Sequence, residues 1–335
     1  MCRANFRLTG AKGTEQPEVC RAGDRTYDTE SVVMPMNHLQ KTVWRYVPVY
    51  LLLLPCIVLL LLMMVYPVYQ TILFSVSEVK LPTFNLRFVG IDNFARIFKM
   101  EEIVTVFKNT LIWIAGSIVV KFLLGFWAAI TFNTRFKGGV VLRIVCLLPW
   151  TVPSIVSSNL WRWIFQSDTG MLNGLLRSGH LDSLAHNWLG DPNTALFSAM
   201  VANSWSSYPF VMIMLLAGMQ GIPKELYEAG GIDGANNVQL FRYITIPSLA
   251  PMIVIVLLLQ IIQNLNSFDM LYVLTGGGPG GASEILGLFI YRIGFTNYDF
   301  GGASAISVTL LMIAIVFFTL YNRKSGKAGK RGEMG

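Results

Sequence analysis

The chain has 335 residues, of which 53% are hydrophobic and 13% are charged, and its formal net charge is +7. Soluble domains carry about 25% charged residues, so this composition excludes a surface that faces only water and favours one that largely faces lipid. Nucleic acid is excluded as the partner of this basic chain, because the Lys and Arg residues lie in short loops and at the ends of apolar runs, as in proteins oriented across a bilayer.

Residues 1–43 are polar and aperiodic, and they predict a disordered cytoplasmic tail. The apolar runs that follow are long enough to cross a bilayer, since a helix needs roughly 20 apolar residues to span about 30 Å of hydrocarbon. We therefore predict an all-α integral membrane domain over residues 44–321, built as a bundle of six transmembrane helices. The predicted spans cover residues 47–74, 106–132, 140–165, 195–219, 249–274 and 302–321. Pro149 and Pro153 are expected to break the third span.

Basic residues predict the orientation of these spans. Lys41 and Arg45 precede the first span, and a basic tail over residues 322–335 follows the last one. Short cytoplasmic loops carry an excess of Lys and Arg. Although the first loop of the opposite side also holds four basic residues, the pattern as a whole places both termini in the cytoplasm and the chain in the cell (inner) membrane.

Polar residues inside the spans are the first candidates for function. In span five, Gln260, Gln263, Asn264 and Ser267 recur at i, i+3, i+4 and i+7, so they share one helical face. Such a stripe either bonds to neighbouring helices or lines a path for a polar solute. Lys121 lies in the middle of span two, where it either snorkels towards the interface, pairs with a neighbouring helix or contacts the solute.

The loop over residues 222–247, between spans four and five, predicts a helical hairpin on the cytoplasmic face. Pro223 is expected to open a helix over Lys224–Ile232, which ends in a turn at Asp233 and Gly234. A second helix, capped by Asn236 or Asn237, is expected to end at Tyr243. Pro247 and Pro251 then mark the entry into the membrane. On these features alone the hairpin is either a partner-binding element or a structured loop that caps the bundle.

The hairpin also carries a spaced motif, Glu228-Ala229-Gly230, Gly234, Ile244 and Ile246-Pro247. It resembles the signature loop of binding-protein-dependent ABC transporter permeases, which reads Glu-Ala-Ala, three residues, Gly, nine residues, Ile, one residue, Leu-Pro. Gly230 and Ile246 depart from that pattern. Four further segments are similar to the carbohydrate branch of this family, in particular its maltose-type first subunit: LLPWTVPS at 147–154, NWLGDP at 187–192, YVLTGGGPGG at 272–281 and YDFGGASAISV at 298–308.

The resemblance implies the fold of a type I ABC importer permease with a cytoplasmic coupling hairpin. It implies four partners: a second homologous permease, a dimeric nucleotide-binding ATPase subunit that holds the hairpin, an extracytoplasmic solute-binding protein, and a sugar as solute. The coupling residues implied are Glu225, Glu228, Ala229, Gly230, Asp233, Gly234 and Ala235. The residues implied for the substrate path are Trp150, Ser154, Asn203, Ser206, Ser207, Gln263, Asn264 and Ser267.

The sequence lacks the motifs of an enzyme. No G-x-x-x-x-G-K-[ST] phosphate loop occurs, and no His, Cys, Asp or Glu cluster has metal-ligand spacing. We therefore expect a transport subunit without a cofactor or metal of its own, whose partner subunit binds ATP and Mg²⁺. A self-contained secondary transporter or channel is the alternative, but it needs an ion path or internal inverted repeats, and neither is evident in the sequence.

Overall fold

The computed structural model of the protein describes residues 50–80, 83, 85–134 and 136–332, and it describes side chains up to residue 316 and at residue 319. The predicted tail over residues 1–43 lies outside the described residues. The chain divides into two compact units, residues 1–61 and residues 62–335. In the first unit, the described residues 50–61 are helical and exposed. Apart from the first residues of the helix that begins at Tyr50, all the features discussed below lie in the second unit.

Helices make up most of the described chain, as the sequence predicts. In chain order they are α1 (Tyr50–Ser75), α2 (Asp92–Phe98), α3 (Glu102–Asn133), α4 (Gly139–Thr151), α5 (Ser154–Ile164), α6 (Met171–Ser178), α7 (Ala195–Gln220), α8 (Lys224–Ile232), α9 (Asn237–Leu265), α10 (Phe268–Leu274), α11 (Leu286–Thr296) and α12 (Phe300–Gly332).

One antiparallel ribbon departs from the all-α expectation. Strand β1 (Ser77–Lys80) pairs with β2 (Asn85–Phe88), with Ser77 opposite Phe88. Asn93 on α2 fixes the start of β1, since its Nδ2 atom donates to the carbonyl oxygens of Ser75 (3.0 Å) and Ser77 (2.9 Å). Four-residue strands give little periodic signal in a sequence, so the ribbon was not predicted.

Four helices of the described chain are long and apolar enough to cross a membrane: α1, α3, α7 and α9. The pair α4 and α5 adds a fifth candidate, which is bent by 96°. The bend lies at Pro153, as predicted, because the residue before a proline avoids the helical region and Val152 is extended. Pro149 was wrongly expected to break the same span; it lies buried inside α4.

Helix α9 differs from the prediction at both ends. The expected second helix of the hairpin does not end at Tyr243 but runs on through a π-helical turn, Phe241–Thr245, into the fifth span. This turn ends two residues before Pro247, which has no N–H to donate. π turns relax the regular bonding pattern of a helix. The predicted span to residue 274 is interrupted, because α9 ends at Leu265 and α10 begins at Phe268.

The core of the bundle lies between α3 and α7. Gly125 on α3 allows close approach, since a Cβ atom built there would lie 2.6 Å from Cβ of Val211 on α7. Small residues at such contacts let membrane helices pack without a hydrophobic driving force. Ala128 and Ala129 continue the same face of α3 and are buried with Met212. The two helices therefore form a fixed frame for the polar residues between them.

Candidate functional site

The hairpin helix α8 ends in a specific C-terminal motif. Its helical residues are Lys224–Ile232, as predicted. Gly234 has φ +79°, the left-handed conformation that glycine adopts without strain. The N–H of Gly234 donates to the carbonyl oxygen of Gly231 (3.1 Å), and the N–H of Ala235 donates to the carbonyl oxygen of Gly230 (2.9 Å). This pair of bonds is a Schellman motif, so the turn direction after α8 depends on Gly234.

The second arm of the hairpin begins with a capping box. The side chain of Asn236 accepts a hydrogen bond from the backbone N–H of Gln239 (2.9 Å), and the Gln239 side chain accepts one from the backbone N–H of Asn236 (2.8 Å). Both predicted candidates lie at this end, but Asn236 is the cap and the helix starts at Asn237. Two short-range motifs therefore flank the turn and define its geometry.

Two contacts tie α8 to α9. The hydroxyl groups of Tyr227 and Thr245 are hydrogen-bonded at 3.0 Å. Gly230 faces Leu240 and Ile244, and a Cβ atom built on Gly230 would lie 2.6 Å from Cδ2 of Leu240. An alanine at this position would therefore require the Leu240 side chain to move. Because of these contacts, α8 and the start of α9 form one packed unit.

The outer face of the hairpin is exposed and carries both charged and apolar groups. Among the predicted coupling residues, Gly230 and Ala235 are half-buried, and the exposed ones are Glu225, Glu228, Ala229, Asp233 and Gly234. Ile232 is 87% exposed and Val238 is 73% exposed. This face of the hairpin therefore leaves both carboxylates and apolar side chains accessible.

A buried polar cluster joins three helices in the middle of the bundle. The Oδ1 atom of Asn264 on α9 accepts hydrogen bonds from Nζ of Lys121 on α3 (2.8 Å) and from Nδ2 of Asn203 on α7 (3.0 Å). The backbone oxygen of Asn264 accepts a further bond from Nε1 of Trp113 on α3 (3.2 Å). Lys121 and Asn264 are almost fully buried. Lys121 therefore pairs with a neighbouring helix and does not snorkel.

Lys121 has no carboxylate within 4.0 Å in the described part of the chain. A buried cation within a bundle is costly unless polar atoms surround it. Asn264 supplies one such atom, and the Oγ atom of Ser117, one helical turn before Lys121, is buried without a hydrogen-bond partner. The sequence showed Lys121 as an isolated charge, but nothing in its spacing identified Asn264 as the acceptor.

The predicted substrate-path residues form two groups that differ in burial and in hydrogen-bond partners. Asn203 and Asn264 belong to the buried cluster, and Ser206 is half-buried and hydrogen-bonded to Ser157 on α5 (2.8 Å). Trp150, Ser154 and Gln263 are exposed, and Ser207 and Ser267 are half-buried. The first group therefore connects helices within this chain, whereas the second group lies at or near its surface.

The bend between α4 and α5 carries part of the exposed group. Trp150, at the end of α4, is 52% exposed, and its ring lies 6.1 Å from that of Phe210 on α7. Ser154, at the start of α5, donates to a carboxylate oxygen of Asp269 on α10 (3.5 Å). An aromatic ring, hydroxyls and one carboxylate thus share this surface. The sequence analysis left Asp269 out of the predicted path.

A second polar centre surrounds the glycine-rich loop before α11. Arg292 donates from Nε to Glu284 (2.7 Å) and from Nη2 to both Glu284 (3.0 Å) and Glu102. These hydrogen bonds, above all those to Glu284, raise the pKa of Arg292. The three charged groups line a cavity of about 390 Å³ with glycines of the loop 276–281. Glu102, Glu284 and Arg292 are far apart or irregularly spaced in the sequence, so this centre was not predicted.

We expect Arg292→Met to destabilise this part of the protein. Glu284 is only 6% exposed, and a buried carboxylate that loses its cation costs about 3–5 kcal/mol. Because the Arg292 side chain is 36% exposed, we expect a smaller cost, about 2 kcal/mol. Thermal unfolding of the purified protein measures it.

Arg96→Met is the matched control for that substitution. Arg96 pairs with Asp299 at 2.7 Å, but the two side chains are 50% and 24% exposed, so its loss should cost less than about 1 kcal/mol. The combination of Arg292→Met with Glu284→Gln should recover part of the loss. Equal effects of Arg292→Met and Arg96→Met would contradict the assignment of Glu284 as a buried, paired carboxylate.

Comparison with known proteins places the chain among transport proteins. A family model described as the binding-protein-dependent transport system inner membrane component matches residues 121–323. The trehalose/maltose transport system permease protein MalF of Thermococcus litoralis is 36% identical over 283 residues, which cover 83% of this chain and 93% of that protein. The sulfoquinovosyl glycerol transport system permease protein SmoG of Agrobacterium fabrum is 30% identical, with 82% of this chain and 88% of that protein covered.

A solved structure shows the same fold. A bacterial ABC transporter involved in the import of the acidic polysaccharide alginate superimposes with a TM-score of 0.76 and 24% identity, over 86% of this chain and 98% of that one. The similar proteins are permease components and not catalytic subunits. From the family match and the extent of these similarities, the chain belongs to the family of inner-membrane permease components of binding-protein-dependent ABC transport systems.

Proposed function

We propose that this chain forms half of the translocation path of an ATP-driven importer for a sugar or oligosaccharide. The sugar class is supported by the relatives named for trehalose, maltose and sulfoquinovosyl glycerol transport. In this proposal α12 supplies the sixth span, both termini face the cytoplasm, and a second homologous permease completes the path. An extracytoplasmic binding protein delivers the solute.

The observation that carries the proposal is the continuity of α9. This helix has 29 residues, Asn237–Leu265, which at 1.5 Å per residue span about 43 Å. It begins in the hairpin, beside the exposed face of α8, and ends next to Asn264 in the buried polar cluster. A displacement of α8 is therefore transmitted along a single helix to the polar residues of the bundle.

The hairpin is the proposed contact with a dimeric ATPase subunit, which binds ATP and Mg²⁺ itself. Glu225, Glu228 and Asp233 offer carboxylates to cations of the partner, and Ile232 offers an apolar side chain to a pocket. Closure of the ATPase dimer would move α8 and α9 together. Such a partner shifts the inward–outward equilibrium only by its difference in affinity for the two states.

The proposed solute path uses the exposed group of polar residues. Neutral amides and hydroxyls match the hydroxyl groups of a sugar, and an aromatic ring stacks on its apolar face. Trp150, Ser154, Ser207, Gln263 and Ser267 are accessible for this role. Asn203, Asn264 and Ser206 have partners within the chain, so we assign them to holding the helices that carry the path.

We expect Trp150→Ala to lower solute uptake about tenfold with an unchanged yield of complex, because a lost stacking contact is worth roughly 1–1.5 kcal/mol. The matched control is Trp127→Ala, since Trp127 is 71% exposed on α3 and no path role is proposed for it. Uptake at several solute concentrations checks the result. Equal losses in both variants would remove Trp150 from the path.

The function is tested by uptake of labelled maltose and trehalose into proteoliposomes that hold this chain, its second permease and its ATPase, with binding protein outside and ATP inside. We expect uptake that requires all four proteins and ATP hydrolysis. Uptake by this chain alone, or uptake driven by a proton gradient without ATP, would contradict the proposal and support a self-contained secondary transporter.

A further inference from the structure

A basic cleft lies at the hairpin end of the bundle, outside the coupling face and the solute path. It has a volume of about 580 Å³ and is formed by the end of α3, the start of α4, the end of α7 and the start of α8. Arg143 of α4 and Lys224 of α8 are its charged residues, and no carboxylate is among the described residues that line it. The described part of the cleft lining therefore carries two positive charges and no negative one.

Arg143 is held so that part of its guanidinium group remains unused. Its Nη2 atom donates to the carbonyl oxygen of Phe132 (3.1 Å), and its guanidinium group lies over the Phe132 ring at 5.9 Å. Its Nε atom is buried and has no hydrogen-bond partner. Neither Arg143 nor Lys224 forms an ion pair within the described chain. An anion in the cleft would meet a positioned guanidinium group and a mobile ammonium group.

The cleft opens onto an apolar surface of α4. Val140, which lines the cleft, is 72% exposed, and Val141 and Ile144 beyond it are 64% and 57% exposed. Apolar side chains exposed along a spanning helix suit acyl chains. A molecule with an anionic head and apolar tails fits both parts of this surface, whereas a free anion uses only the first. Basic clefts at the ends of spanning helices bind lipid headgroups in this manner.

We propose that this cleft binds the phosphate headgroup of an anionic phospholipid, with the head between Arg143 and Lys224 and the tails against α4. Because Lys224 is the first residue of α8, the lipid headgroup would contact the hairpin at the N-terminal end of that helix. The proposal concerns binding of lipid and does not depend on which solute is imported.

Retention of phosphatidylglycerol and phosphatidylcholine by the purified full complex, counted by native mass spectrometry, tests the site. We expect retention of phosphatidylglycerol over phosphatidylcholine. Arg143→Gln and Lys224→Gln should each lower the affinity for phosphatidylglycerol about fivefold, the factor that corresponds to about 1 kcal/mol for each basic residue at an anionic surface. Arg143→Lys should retain most of the binding, which separates loss of charge from loss of folding.

Lys137→Gln is the matched control, because Lys137 is an exposed lysine in the loop between α3 and α4 and does not line the cleft. It should leave retention unchanged. Two results would overturn the proposal: equal loss in Lys137→Gln and Arg143→Gln, or retention unaffected by Arg143→Gln combined with Lys224→Gln. Displacement of the lipid by excess inorganic phosphate, with that phosphate retained instead, would show a free-anion site and also contradict it. None of these outcomes bears on sugar import, since no transport is measured.

Discussion

Replacement of Gly234 by proline is expected to lower import on the order of 10- to 100-fold while the complex still assembles. Proline fixes φ near −65°, whereas Gly234 has φ +79°, and proline lacks the N–H that bonds to Gly231. A proline at this position costs the native turn about 3 kcal/mol, which lowers the population of that turn by roughly a factor of 100. The cost is local, because a side chain at Gly234 would meet no atom within 4 Å. ATP-driven uptake and ATPase activity of the same preparation measure the uncoupling.

Gly231→Ala is the matched control for that substitution. Gly231 lies inside α8, a Cβ atom there also meets no atom within 4 Å, and alanine favours the helix by about 1 kcal/mol. Uptake by this variant should equal or exceed that of the unmodified protein. If Gly234→Pro imports normally, the hairpin does not transmit motion. If both variants fail equally, the effect belongs to the helix in general and not to the turn.

Asn264→Leu is expected to act mainly by destabilising the helix bundle and not by removing a contact with the solute. The substitution removes the acceptor of both Lys121 and Asn203 and leaves a buried ammonium group unpaired. Hydrogen bonds to charged groups contribute about 1.5–3 kcal/mol, and a charged side chain within a membrane costs about 3 kcal/mol. We expect a lower Tm for the purified protein and a lower yield of complex.

The double variant Lys121→Met with Asn264→Leu separates this explanation from a direct role in the solute path. Removal of the charge together with its acceptor should restore part of the lost Tm, as apolar replacements of buried charged groups often do. Ser267→Ala, at a half-buried position just beyond the end of α9, should leave Tm unchanged. If the double variant is less stable than Asn264→Leu alone, the Lys121–Asn264 bond is not the source of the loss.

The sequence was sufficient to predict the hairpin because local motifs define it. A proline before α8, a left-handed glycine after it and an asparagine cap on the next helix each act within a few residues. The helix Lys224–Ile232 and the positive φ of Gly234 were therefore predictable. The family could also be identified, because Gly234, Ile244 and Pro247 keep the spacing of a known motif.

The features that the sequence did not predict depend on contacts between residues that are distant in the chain. Lys121 and Asn264 are 143 positions apart, so only packing shows that they bond. The predicted stripe holds only in part: Gln260, Gln263 and Asn264 lie on α9, but Ser267 lies beyond its end. The spacing also could not separate buried Asn264 from exposed Gln263. The proline positions suggested a break in the helix before the fifth span, whereas α9 continues into that span through a π turn. In each case tertiary packing decided between local alternatives.

The continuity of α9 also limits how the protein can move. If a flexible loop joined the hairpin to its span, a displacement of the hairpin by the ATPase subunit would not reach the span. Instead, α9 has helical residues throughout. Tyr227 and Thr245 further link the two arms. We therefore interpret α8 and α9 as one rigid element, whose hinge lies beyond Leu265, where the helix ends before α10.

The claim that an ATPase subunit holds this rigid element is tested most directly by a photo-reactive amino acid placed at Ile232, the most exposed large apolar residue of α8. The same probe at Ile255, which is 47% exposed on the span part of α9, is the control. We predict that the Ile232 probe crosslinks to the ATPase subunit in a yield that changes with ATP, and that the Ile255 probe does not. Absence of any crosslink from Ile232, or its labelling by an impermeant reagent from outside the cell, would contradict the account.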